Sequence, residues 1–218
     1  MDAADLTKTY QSRFESKESY RYQVWRILID QFFQAYIPPQ ATILDLGCGF
    51  GEFINQVSAD KKYGMDLNPA TREKLRPEIH FLNQDCSKTW AIEDGTLDVV
   101  FTSNFFEHLL NKDLLGASLE QAYRCLKPGG KIVCLGPNIR FLAGSYWDFW
   151  DHYLALTDRS LKEGMELHGF RVTTCVPRFL PYSMSQGFQP PLAFLSMYLK
   201  LRLLWPIFGR QFLIIGVR

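Results

Sequence analysis

The run ILDLGCGFGEF (Ile43–Phe53) sets Asp45, Gly47, Gly49, Gly51 and Glu52 close together. Glycine loses more backbone freedom on folding than any other residue, so glycines this dense imply a loop that something approaches closely. A strand, such a loop, and a helix starting near Glu52 form the layout of a nucleotide-type site, with unpaired N–H groups at the helix start. The acids bear on the ligand's charge. Asp45 and Glu52 suit an amine or sulfonium, and an acid at Glu52 would sit badly against a pyrophosphate. A dinucleotide fingerprint also needs its last glycine where Glu52 stands.

More chemistry-bearing residues follow. Asp66 in YGMDLNP and Asp85 in NQDCS read either as strand-end caps or as ligand contacts. Asn104 is a turn residue or lines the site. Glu107-His108 stands just after the run LDVVFTS, and His152 lies in WDFWDHY. A base near neutral pH helps any transfer to a hydroxyl acceptor, and His152, His108 and Glu107 are the candidates. Against this, Glu107 and His108 could brace a loop, and His152 could be the surface histidine of a packed one. The four aromatics around His152 could instead wall a dry acceptor site. His80 and His168, at a strand start and a helix end, receive no role. With no HxxxH or HxxE spacing, no metal site is expected.

The elements that must position these groups alternate. Apolar runs of strand length are expected near 41–46, 61–66, 79–82, 97–102, 130–136, 170–176 and 211–217, with helical stretches between many of them, as in parallel βαβ units. KPGG (Lys127–Gly130) reads as a turn between a helix end and the fifth strand. Tyr20, Val24, Ile27, Leu28 and Phe32 recur at helical spacing, and Pro38-Pro39 stops that helix. Residues 157–169 read as a helix capped by Thr157 or Asp158 and ended by Gly169. The stretch 177–210 is an insertion rich in Pro and aromatics.

The chain has 218 residues with a formal net charge of +1, ordinary for one globular domain and without the basic excess of a nucleic-acid binder. Five cysteines without a CxxC pair argue against a disulfide framework and for a reducing, cytoplasmic setting. The acidic N-terminus has no apolar core, so it does not read as a secretory signal. Pro190–Phe208 is apolar but carries Lys200 and Arg202, too charged for a span. It packs on the domain or a second subunit, giving a monomer or homodimer, or else lies on a membrane surface.

Asp45-x-Gly47-x-Gly49-x-Gly51, YGMDLNP, NQDCS, LDVVFTSNFFEHL and CLKPGGKIVCLGPN, in that order, resemble the motifs of class I S-adenosylmethionine-dependent methyltransferases over about residues 41–176. ESYRYQVWRILIDQFFQAYIP and GRQFLIIGVR resemble its small bacterial branch, which modifies sugars, lipids and other small metabolites. The resemblance implies an α/β, Rossmann-like single domain over 1–218, with a seven-stranded, mostly parallel sheet in the order 3-2-1-4-5-7-6 and helices on both faces. Residues 1–40 would be a helical lid and 177–210 a helical insertion before the last strand. S-adenosylmethionine would be held by Asp45, Gly47, Cys48, Gly49 and Gly51, by Asp66 with Leu67, by Asp85 with Cys86, and by Asn104. Arg13, Tyr10 or Arg21 would meet its carboxylate. The implied reaction is methyl transfer to a small molecule, at oxygen of a sugar or related metabolite. Two rivals remain: a non-catalytic cofactor-binding partner subunit, and an enzyme acting on a lipid-linked acceptor at a membrane. A nucleic-acid acceptor is disfavoured, because SNFF (Ser103–Phe106) occupies the place of NPPY.

Overall fold

The computed structural model describes residues 18–182 and 189–218, so Arg13 and Tyr10 lie outside the described residues. Seven strands form one sheet: β1 (Thr42–Leu46), β2 (Lys61–Met65), β3 (His80–Leu82), β4 (Leu97–Ser103), β5 (Leu126–Pro137), β6 (Arg171–Val176) and β7 (Gln211–Val217). Their order is β3-β2-β1-β4-β5-β7-β6. All neighbours are parallel except β7, which runs antiparallel to both β5 and β6.

The central strands β1, β4, β5 and β7 are apolar on both faces because both faces are covered. Ile43, Val99, Phe101, Val133, Leu135, Leu213 and Ile215 face one layer. That layer contains α1 (Glu18–Gln31) and the segment after β6. Leu44, Leu46, Val100, Ile132, Cys134, Phe212 and Ile214 face the other, under the helices Lys112–Cys125 and Asp158–Leu167. The period-2 alternation of these runs is what commits each strand to two cores.

Two boundaries, and the buried face of one helix, differ from the sequence reading. α1 ends at Gln31, well before Pro38-Pro39, and a 3-10 turn over Phe33–Tyr36 follows. The break lets Phe33 bury completely, with its ring centroid 5.2 Å from Phe101. The buried stripe of α1 is Val24, Trp25, Leu28 and Ile29, so Ile27 lies only beside it. The fifth strand begins at Leu126, directly after the helix, and Lys127–Gly130 bulges within it, where the β4–β5 register shifts. The capping of Asp158–Leu167 follows expectation: Thr157 and Ser160 form a reciprocal box, and Gly169 has φ +90°.

Strands β1, β4 and β5 end on one side of the sheet, and the loops after them carry most candidate residues. The stretch 177–210 joins β6 to the start of β7, where Gln211 pairs with Pro137 at the end of β5. That insertion therefore borders the same side. It contains the helix Leu192–Lys200, a 3-10 turn at Arg202–Leu204 and a short helix at Trp205–Phe208.

Candidate functional site

The glycine loop is fastened to the end of β2. Gly47 and Cys48 both donate their N–H to the Met65 carbonyl, at 2.9 and 3.0 Å. Gly47, Gly49 and Gly51 all adopt positive φ (74°, 52° and 76°), which side chains disfavour. A Cβ on Gly47 would stand 2.3 Å from the Phe105 ring, and one on Gly51 would stand 2.5 Å from Leu75. Two of the three glycines thus make room for the protein's own side chains, a need the sequence does not announce. The helix expected from Glu52 is not formed. Separate turns take its place, closed by Asn55 N–H to Gly51 O (2.9 Å) and Val57 N–H to Phe53 O (3.1 Å). They are held from outside: Phe53 stacks on Phe101 at 3.7 Å, and the Asn55 side chain bonds to Lys74 O and Arg76 N–H, both at 2.9 Å.

Asp45, Glu52 and Asp66 are all buried. Burial, together with the neighbouring charges of Glu52 and Asp66, raises the Asp45 carboxyl well above the usual range, and a bond from Ile54 N–H opposes this only in part. Glu52 already has a cation, the Arg21 guanidinium of α1 at 2.8 Å, which corrects the expectation that it awaits the ligand. That pair lays α1 across the glycine loop. Asp66 accepts Gly49 N–H through Oδ2 and Asn68 N–H through Oδ1, both at 2.9 Å. Burial raises its carboxyl despite these bonds.

Asp85 is half-buried and closes a turn, accepting the N–H and hydroxyl of Ser87 at 2.8 Å each. The Cys86 carbonyl holds Trp90 Nε1–H at 2.8 Å. Burial pushes the Cys86 thiol up to about 11 and the Cys48 thiol well above its ordinary value, so neither is a nucleophile. Leu67 is exposed, and its carbonyl accepts the Asn83 amide at 3.0 Å. Asn104 adopts φ +49°, and its buried Oδ1 has no hydrogen-bond partner among the described residues. A strained polar residue with an unmet acceptor at the end of β4 marks a place where a ligand donor is wanted.

Beyond Asn104 lies a second cluster. Glu107 and His108 occupy a 3-10 turn, and the Glu107 carbonyl anchors the loop after β5 by accepting Tyr153 and Leu154 N–H at 2.9 and 3.0 Å. His108 Nδ1 lies 2.9 Å from the Asp151 carbonyl and 3.3 Å from its carboxylate Oδ2. Both partners are acceptors, which assigns the proton to Nδ1. Burial alone would lower the His108 pKa, but Asp151 and Glu107 outweigh it and the net shift is upward. Burial raises Glu107 to about 7. His152 is buried, with Nδ1 2.8 Å from the Tyr146 carbonyl and its ring stacked on Phe149 at 4.8 Å. The surface-histidine reading of His152 is thereby excluded.

Sequence reasoning named all three of these residues but missed Asp151, whose partner lies 43 positions away. The acid just before His152 was the available signal. One ligand atom each from Glu107, His108 and His152 lie within 4.8 Å of one another. The HxxxH argument against a metal therefore carries no weight, since the three come from two separate segments.

Comparison with known proteins places the fold and the chemistry together. A family model described as "Methyltransferase domain" matches residues 18–174. In overall shape the chain is similar to a SAM-dependent methyltransferase from Archaeoglobus fulgidus (TM-score 0.69, 21% identity, 93% of this chain and 97% of that one). It is also similar to one from Corynebacterium glutamicum (TM-score 0.65, 17% identity, 99% of each chain). The chain belongs to the methyltransferase-domain family and has the class I, S-adenosylmethionine-dependent architecture.

Among curated proteins it is 28% identical over 139 residues to demethylmenaquinone methyltransferase of Symbiobacterium thermophilum, covering 57% of this chain and 55% of that protein. It is 26% identical over 125 residues to 2-methyl-6-phytyl-1,4-hydroquinone methyltransferase of Synechocystis, covering 53% of this chain and 38% of that protein. The matches thus span about half or less of these relatives' own length. The residues present fit S-adenosylmethionine: a buried acid at Asp45 for a cationic group, Asp66 beside the glycine loop, and the unmet Asn104 acceptor.

Proposed function

We propose that this chain transfers the methyl group of S-adenosylmethionine to a hydroxyl-bearing small molecule with an apolar body. The observation that carries the reading is the His108–Asp151 pair, which stands at the end of β4 beside the cofactor-side acids. When bound, the cofactor supplies an already activated methyl group on a sulfonium. Asp45, the glycine loop, Asp66, Leu67, Asp85, Cys86 and Asn104 hold and orient it, with Glu52–Arg21 and α1 closing over the loop as a lid. Positioning and exclusion of water then supply much of the rate.

His108 supplies the remaining part as general base. With its proton fixed on Nδ1 toward Asp151, Nε2 is the atom that takes the acceptor's hydroxyl proton, and Asp151 steadies the imidazolium that results. Glu107 and His152 position that ring: Glu107 lies next to it in the turn, and the His152 ring stands 5.1 Å from it, edge to face.

Two acceptor classes follow from the sequence, a sugar oxygen and a lipid-linked molecule. The aromatic loop after β5 supports the second. So do the names of the curated relatives, whose acceptors are a demethylated menaquinone and a phytyl hydroquinone. A panel assay separates them: purified protein, S-adenosylmethionine, and either a nucleotide-linked hexose or a short-chain prenyl hydroquinone, read by mass spectrometry of the product. Methylation of the hydroquinone alone is the expected result, and methylation of the hexose alone overturns this assignment. If chelator abolishes turnover and a divalent cation restores it, Glu107, His108 and His152 are metal ligands instead of a base and its supports.

A further inference from the structure

The insertion between β6 and β7 is apolar on the side that faces the protein and also on the side that does not. In the helix Leu192–Lys200, Leu192, Leu195 and Leu199 repeat at i, i+3 and i+7 and pack on the α1 side of the core. Tyr198 joins them, donating its hydroxyl to the Phe179 carbonyl at 2.6 Å. Gln31 Nε2 reaches Ser196 Oγ at 3.0 Å and Tyr20 reaches the Pro190 carbonyl at 2.8 Å, so α1 fixes this helix in place. The packing role expected from sequence is therefore met. It does not use up the apolar surface.

Phe194, Met197 and Leu201 form a second stripe at the same spacing, and all are exposed. Leu203 is 88% exposed, and Ile207 and Phe208 are exposed as well. Six large apolar side chains on one short segment are far from the scattered single exposures normal on a protein surface. Within the segment itself the charge has one sign. Between Pro177 and Arg210 the sequence contains Arg178, Lys200, Arg202 and Arg210 and no Asp or Glu. Lys200, Arg202 and Arg210 are exposed.

This surface adjoins the loop after β5. Arg178 donates to the Gly209 and Ile207 carbonyls at 2.8 and 2.6 Å, and its guanidinium lies over the Phe141 ring at 4.8 Å. Asn138 N–H bonds to the Arg210 carbonyl at 2.9 Å. The loop after β5, which carries Asp151 and His152, is thus tied to the insertion. Trp150 on that loop is 87% exposed and Trp147 is exposed too.

We propose that residues 192–210 seat the protein on an anionic lipid surface. The apolar stripe enters the headgroup–acyl boundary, while Lys200, Arg202 and Arg210 meet lipid phosphates. An interfacial helix needs this combination of buried apolar area and basic charge, and each basic residue near an anionic surface adds to the attraction. No helix among the described residues is long and apolar enough to cross a membrane, so the contact is one of lying on the surface. The inference rests on and deepens the reading of an acceptor with an apolar body, because a lipid-borne acceptor would be presented beside the loop that carries Asp151 and His152.

The full-length chain is sedimented with vesicles of pure phosphatidylcholine and of phosphatidylcholine with phosphatidylglycerol. Binding is expected only to the anionic vesicles and should fall with added salt. Leu203→Glu with Ile207→Glu should weaken it at least about tenfold, and Lys200→Glu with Arg202→Glu should remove the preference for anionic lipid. All four positions are exposed, so cofactor affinity, measured by calorimetry, should stay unchanged in both variants. Equal binding by the Leu203/Ile207 variant overturns the proposal, as does failure of the native chain to sediment. A dimer by light scattering that Leu203→Glu dissociates would show that a second copy covers this face, which also overturns it. Cofactor binding and turnover of a water-soluble, tail-less hydroquinone need no vesicle, so either can fail or hold independently of membrane binding.

Discussion

Replacing His108 with Gln is expected to lower kcat about 10²- to 10⁴-fold, the range for losing a positioned general base, with cofactor affinity changed less than about threefold. The pH profile gives the more specific reading. Asp151 and Glu107 raise the His108 pKa above its ordinary value, against the opposing effect of burial. A base must be neutral to accept a proton, so kcat should climb with pH through an apparent pKa above about 6.5. Asp151→Asn removes the charge that favours the imidazolium. The rising limb should then move to lower pH while the plateau falls. A merely structural Asp151 would lower activity without moving the limb. If His108→Gln leaves kcat within about threefold, positioning alone drives the transfer and the base assignment fails.

The second large effect is on stability. Gly47→Val places a branched side chain on a backbone at φ +74°, with its Cβ 2.3 Å from the Phe105 ring. Overpacking costs about 1–3 kcal/mol and left-handed backbone about 1–2 kcal/mol more. For a chain of this size each kcal/mol lowers Tm by about 2–4 °C, so a fall of roughly 5–15 °C is expected in a thermal melt. Gly95 supplies the control. It also has positive φ, at 63°, but a Cβ there meets nothing within 4 Å, so Gly95→Ala should cost only the backbone share. Combining Gly47→Ala with Phe105→Ala should recover part of the clash. A Gly47→Val protein that melts with the native one would mean the loop relaxes freely and is not the rigid cradle described here.

The strands were legible because near-continuous apolar runs such as LDVVFTS and KIVCLG read as strands buried on both faces, whereas their order in the sheet was implied by the resemblance to class I methyltransferases. Boundaries set by tertiary contact were not legible. α1 stops where Phe33 turns into the core, and the turns after Gly51 are held by Phe101 and by backbone near Lys74, all distant in sequence. The same holds within the site. Glycine density revealed that the loop needs clearance, but Phe105 and Leu75 account for two of the three positions. The acids at Asp45 and Glu52 looked equivalent in sequence. Arg21 pairs with Glu52, whereas Asp45 has no such cation among the described residues and is held high by burial and by the neighbouring charges of Glu52 and Asp66.

Asp45 is therefore the residue on which the cofactor reading turns. Titration calorimetry of S-adenosylmethionine into the native protein and into Asp45→Asn is the direct measurement. Losing a charged partner in a buried site should weaken binding about 10- to 100-fold. Equal affinity for both proteins, or no binding by the native chain, would contradict the assignment of this acidic glycine loop as the cofactor site.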